Sequence, residues 1–152
     1  MPILTQSQYS KITDRPYTAL YVTSPESIAI TAGTPVSPSL NIAEISGNLF
    51  DYTGGSLKYI GIHPITVTID GSVSITSTIN NIISKVFYGK NGVVDIKTQI
   101  DRKIGTGADV GALAASGQFE LVTNDTLDFF VDSDTNTTLT IEKAYWNIIT
   151  VD

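Results

Sequence analysis

From Val94 to Ile104 the chain alternates almost without a break. Val94, Ile96, Ile100 and Ile104 hold one parity, and Asp95, Lys97, Gln99, Asp101 and Lys103 hold the other. Successive side chains of a β-strand point to opposite faces, so this period of two predicts a long strand with one dry face and one wet face. Shorter segments repeat the pattern. Tyr59 to Asp70 turns Ile65, Val67 and Ile69 inward and Thr66, Thr68 and Asp70 outward; Gly71 closes that segment, and Val73 and Ile75 begin the next. Leu113, Ala115, Gly117, Phe119 and Leu121 share one face, as do Leu127, Phe129 and Val131, and a last strand runs from Leu139 to Val151. Asn91-Gly92 lies between two strands, and both residue types tolerate the positive φ of a tight hairpin. The expected count is eight to ten strands with no helix, which reads as an all-β antiparallel sandwich of the jelly-roll type.

A length of 152 residues suits one domain that closes a core without staples, and the absence of cysteine removes disulfides and thiolate metal sites. The formal charge of −6 argues against nucleic acid, whose phosphates call for a concentrated basic stripe. No window has the make-up of a signal peptide or the length of a membrane span, so no membrane partner is expected. Residues 1–17 differ from the remainder: they are polar, mixed in charge and without a sustained period. They read either as a frayed terminus or as an arm that orders on a partner through Ile3, Leu4, Tyr9 and Tyr17. The jelly roll is then expected over 18–152.

Catalytic chemistry finds little purchase. His63 is the only histidine and precedes Pro64, with no evident nucleophile or orienting carboxylate. Asp125, Asp128, Asp132 and Asp134 cluster, and Asp132-Ser-Asp134-Thr-Asn136 opens like a calcium loop, but Thr137 stands where the glycine belongs and no closing Glu follows. Asp128 and Asp132 fall at outward strand positions, where solvated acids keep a sheet from sticking to others. Gly105-x-Gly107 lacks the Lys-Ser/Thr and the helix of a phosphate loop. No enzyme activity, metal or cofactor is expected. Tyr145 and Trp146 are strand neighbours that face opposite ways; an outward aromatic marks an interface, whereas two enclosed ones are core or corner residues, and parity alone leaves both open. Phe130 poses the same question, since Leu127, Phe129 and Val131 take the inward positions.

Four runs carry a resemblance: Tyr88-Gly-Lys-Asn-Gly; Arg102-Lys-Ile-Gly-Thr-Gly-Ala-Asp-Val-Gly-Ala-Leu; Leu121-Val-Thr-Asn-Asp; and Asp134-Thr-Asn-Thr-Thr-Leu-Thr-Ile. Over roughly residues 48–152 the chain resembles the tumour-necrosis-factor-like (TNF-like), complement-head-like jelly rolls of tailed-phage virion proteins. The resemblance implies a homotrimer. It also implies a structural role as a capsid decoration (cement) protein on the virion's capsid surface, bound to the major capsid protein, or alternatively as the receptor- or glycan-binding tip of a head or tail fibre. It places the Asn91-Gly92 hairpin and the Gly105 to Gly107 loop at the ends of the sandwich, and the last strand near the trimer axis. On this reading Phe130, Tyr145, Trp146 and Ile148 make the subunit contact, and Ile3, Leu4, Tyr9 and Tyr17 make the capsid contact.

Overall fold

A computed structural model describes residues 16–151, apart from the side chains of Ile45 and Ser46. Eleven strands follow in order: β1 Tyr17–Val22, β2 Glu26–Ile30, β3 Ile42–Asn48, β4 Phe50–Thr53, β5 Ser56–Tyr59, β6 Ile65–Ser77, β7 Ile82–Lys90, β8 Val93–Ile104, β9 Gly111–Leu121, β10 Thr126–Ser133 and β11 Thr137–Thr150. No helix occurs among the described residues. The first sheet has the order β3-β1-β11-β6-β9, with β2 also pairing along β11; the second has the order β4-β5-β10-β7-β8. All pairings are antiparallel. This is the jelly roll that the alternating pattern predicts.

The core forms where the inward parities of the two sheets meet. From the first sheet come Val67, Ile69, Val73 and Ile75 of β6 and Leu139, Ile141, Trp146 and Ile148 of β11; from the second come Val86 and Tyr88 of β7 and Leu127 and Val131 of β10. Phe129 sits between two larger rings, 5.1 Å from Trp146 and 6.3 Å from Tyr88, both in tilted arrangements that suit the ring quadrupoles.

Gly71 does not end a strand. β6 runs through it for 13 residues. A Cβ at that position would collide with the Trp146 ring and the Tyr88 hydroxyl, so the glycine is there to let the indole lie across the sheet. The Asn91-Gly92 hairpin is as expected, with φ of +53° and +76°. Strand β3 was not foreseen, because its alternation is broken by Gly47 and by a register shift against β1 between Ala19 and Leu20.

β8 departs furthest from its expectation. It is the long strand that the alternation requires, but it is the outermost strand of its sheet, and its apolar parity is not dry. Ile96 is 67% exposed and Ile100 39%, and Ile104 alone of the four apolar residues is buried. The register explains this. Val86 stands opposite Ile100 and Tyr88 opposite Asp95, so residues 96–99 bulge against Phe87 alone. Thr98 plugs the bulge: its hydroxyl accepts the Tyr88 N–H at 2.7 Å and donates to the Asp95 carbonyl at 2.8 Å.

Tyr17, placed in the arm by the sequence pattern, stands within the first sheet, paired with Ile149 on one side and Asn48 on the other. Ile3, Leu4 and Tyr9 lie outside the described residues.

Candidate functional site

Seen from outside, the first sheet carries a ridge and two hollows. The ridge is built on β1 and β11, where Tyr21 pairs with Tyr145 and Tyr17 with Ile149. All four side chains point away from the core and are between 41% and 44% exposed. These two cross-strand pairs, with Ala19 and Asn147 between them, leave large apolar side chains on a sheet face, which water does not favour. Next to the ridge, β6 and β9 present small residues outward. One hollow, about 330 Å³, lies between Ser72, Ser74, Ala112 and Tyr145 itself. A second, about 360 Å³, lies between Asp70, Ala114, Ser116 and the β8 residues Lys97, Thr98 and Ile100. The exposed Ile96 and Ile100 continue this surface round the edge of the sandwich. The first hollow adjoins the ridge through Tyr145, whereas the second lies against β8, on a different part of the surface from the ridge.

The expected subunit-contact residues separate accordingly. Tyr145 is on the ridge. Trp146 and Ile148 point inward, 3% and 0% exposed, because neighbouring and alternate strand positions fix their parity once Tyr145 faces out. As surface residues both are corrected to core residues. Phe130 does lie on the outward face of the second sheet, but it is 5% exposed and stands directly opposite the buried Phe87, so it finds its neighbour within its own chain. Tyr21, Ile149, Ile96 and Ile100 are exposed apolar side chains that the sequence pattern did not single out, and Tyr17, expected in the arm, joins them on the surface of the sheet. A signal for β1 was present: Tyr17 to Val22 is apolar at both parities, which a strand wet on one face does not need.

The acidic residues are occupied with the fold. Asp128 and Asp132, expected to be solvated, are 4% and 3% exposed. Asp128 accepts from the Ser56 hydroxyl, from the Gly92 N–H at 2.8 Å and from Thr126 Oγ1 at 3.2 Å. Asp132 faces Lys85 Nζ at 3.8 Å, while its Oδ1 accepts no hydrogen bond. Asp134 accepts the Ile83 N–H, and Asn136 accepts the Ala32 N–H, so both pin loops. Asp125 ties the Asn91-Gly92 hairpin to the β9–β10 turn. The Val122 N–H and then the Asn91 amide hold its carboxyl below the ordinary carboxylate range against a smaller opposing effect of burial, with Lys90 adding to the fall. Among the described residues no group of three or more His, Asp or Glu side chains is placed to hold a metal ion. His63 is exposed on the β5–β6 loop.

Between the sheets a gap of about 30 Å³ is lined by Leu20, Leu40, Leu57, Phe129 and Trp146. Water-sized space of this order is well short of the roughly 300 Å³ or more of a small-molecule site. Tyr88, buried behind it, donates to the Ala115 carbonyl at 3.3 Å; its pKa is raised, first by burial and then by the nearby charge of Asp70.

No family model matches the chain, and no curated protein matches it by sequence. Solved structures do match. The PRD1 vertex protein P5 aligns over 90% of this chain and 97% of its own, with 14% identity and a TM-score of 0.55. Murine APRIL aligns over 85% and 99%, with 10% identity and a TM-score of 0.55. The Eiger TNF of S. frugiperda aligns over 91% and 94%, with 10% identity and a TM-score of 0.54. At these identities the likeness concerns the fold: the chain is an all-β jelly roll of the TNF-like kind.

Proposed function

We propose that this chain is a structural virion protein that decorates a capsid as a homotrimer. The observation that carries the reading is the presence on one protomer of an exposed apolar ridge, Tyr17, Tyr21, Tyr145 and Ile149, and of a separate exposed apolar edge at Ile96 and Ile100 flanked by small-residue hollows. The Tyr21–Tyr145 ridge and the Ile96–Ile100 edge sit on different parts of the same molecule, so they cover each other only between copies, head to tail. Such a contact either closes into a ring or grows into a filament, and the TNF-like resemblance favours closure at three. Seating Tyr145 and Tyr21 of one copy against the Ile96–Ile100 edge and small-residue hollows of the next covers both patches at once.

The likeness to the PRD1 vertex protein supports a virion location, and the pattern resemblance of the four sequence runs to tailed-phage jelly rolls motivates the decoration role. Attachment then works by number. Three arms on one rigid trimer meet the capsid together at high effective concentration, so modest contacts through Ile3, Leu4 and Tyr9 give a durable bond. No step in this reading calls for turnover or for a cofactor.

The test is co-sedimentation with capsids of the full chain and of a chain lacking residues 1–15. The decoration reading expects the deletion to abolish capsid binding while the trimer persists. Binding to cells or glycans that survives the deletion would instead favour the fibre-tip reading, with recognition in the end loops around Gly54, Gly105 to Asp109, and Asp132 to Asn136.

A further inference from the structure

On the outward face of the second sheet, Lys85 of β7 and Asp132 of β10 stand directly opposite each other. The next pair along the same face is Phe87 with Phe130, and both rings are buried, so one flank of the Lys–Asp pair is dry. The far side of β10 is closed to water as well. There the segment between β2 and β3 lies along the strand: the Gly33 N–H donates to the Ser133 carbonyl, and Val36 and Val131 exchange both their backbone bonds.

As an ion, Asp132 is poorly served. It is buried, and its Oδ1 accepts no hydrogen bond. Lys85 Nζ lies 3.8 Å from its Oδ2, which is beyond hydrogen-bond reach. The other buried acid of this strand, Asp128, draws donors from Ser56, Gly92 and Thr126. A carboxylate taken out of water without hydrogen-bonded partners is costly, and an attraction at this distance offsets little of that cost. An amine and a carboxyl group fixed side by side have one reaction that removes both charges, which is to condense.

We propose that Lys85 and Asp132 join in an intrachain isopeptide bond. In the dry site the ammonium passes a proton to the carboxylate, leaving a neutral amine and a neutral acid. The Nζ lone pair adds to Cγ of Asp132. The bond from Cγ to its hydroxyl oxygen then breaks, and that oxygen leaves as water, carrying its own proton and one from Nζ. The product is an amide between Nζ and Cγ. Atoms and charge balance with no oxidant, nucleotide or metal. Strand pairing supplies proximity in place of chemical activation, and a lysine amine in apolar surroundings is the nucleophilic form. The bond ties together two inner strands of the β4-β5-β10-β7-β8 sheet and restricts the unfolded chain as any crosslink does. This goes beyond the decoration reading, since it involves one protomer alone.

The intact mass of the purified full chain, unfolded before weighing, tests the bond. The expected mass is that of the sequence less one water. A tryptic digest should then contain a branched peptide joining β7 to β10, because trypsin does not cut after an acylated lysine. Lys85→Arg keeps the positive charge but lacks the amine, and it should return the chain to its full sequence mass, as should Asp132→Ala. An unsubstituted chain at full sequence mass overturns the proposal. So does a missing water that persists in Lys85→Arg, or one that maps to a succinimide at Asp70-Gly71, which loses the same mass. Capsid co-sedimentation is a separate assay, so failure of the decoration reading leaves this result intact.

Discussion

The clearest consequences sit on single residues. Gly71 leaves room for an indole and a phenol, so Gly71→Ala forces one of two buried rings to move and should destabilise the fold by about 1–3 kcal/mol, read from a denaturant midpoint. Trp146 and Tyr145 are neighbours with opposite duties. Trp146→Ala should cost about 3–5 kcal/mol of folding stability, because it opens a cavity at the centre of the core. Tyr145→Asp should leave the protomer folded and shift the assembly toward single chains, read by mass in solution. The sequence located this pair but not its orientation, because alternation says that two neighbours differ and not which of them faces in. The same limit applies to Asp128 and Asp132. Their outward parity was legible, but their burial was not, since it depends on Ser56, Gly92 and Lys85 arriving from elsewhere in the chain.

Among the elements, β8 teaches most. Its alternation was the strongest local signal in the sequence and gave the strand correctly. Its dry face was misassigned, because whether a strand lies at the edge of a sheet is a property of topology, not of its own residues. The bulge at 96–99 then turns Ile96 outward. Ile96→Asp should change protomer stability by no more than about 0.5 kcal/mol, as an exposed site does, yet weaken self-association. The β7–β8 hairpin carries a pH dependence. Asp125 is held below its ordinary value, so its contribution is complete above that value of 3.8 and is lost as pH falls through the lower folded-state value. The denaturant midpoint should drop below about pH 4, and Asp125→Asn should flatten that slope. Tyr88 acts at the other extreme. Its raised pKa leaves it neutral in the fold while the unfolded chain ionises, so stability should decline as pH climbs past its ordinary 10.0.

For the whole molecule, the fold class was legible because period-two patterning, turn residues and length all agreed on a jelly roll. The role was less so, because the contacts that would carry it on the proposed reading lie between copies and leave no pattern of their own in one chain. A strand apolar on both parities (β1), an edge strand with its apolar parity in solvent (β8) and small residues on the outward parities of β6 and β9 are separate facts in the sequence. They become one surface only when the sheets are assembled. The measurement that bears most directly on this surface is the mass of the full chain in solution across a dilution series through micromolar concentration. The account predicts a species of three times the 16.3 kDa chain mass that Tyr145→Asp and Ile96→Asp each dissociate. A stable single chain of 16.3 kDa throughout the series, with the ridge left facing water, would contradict it.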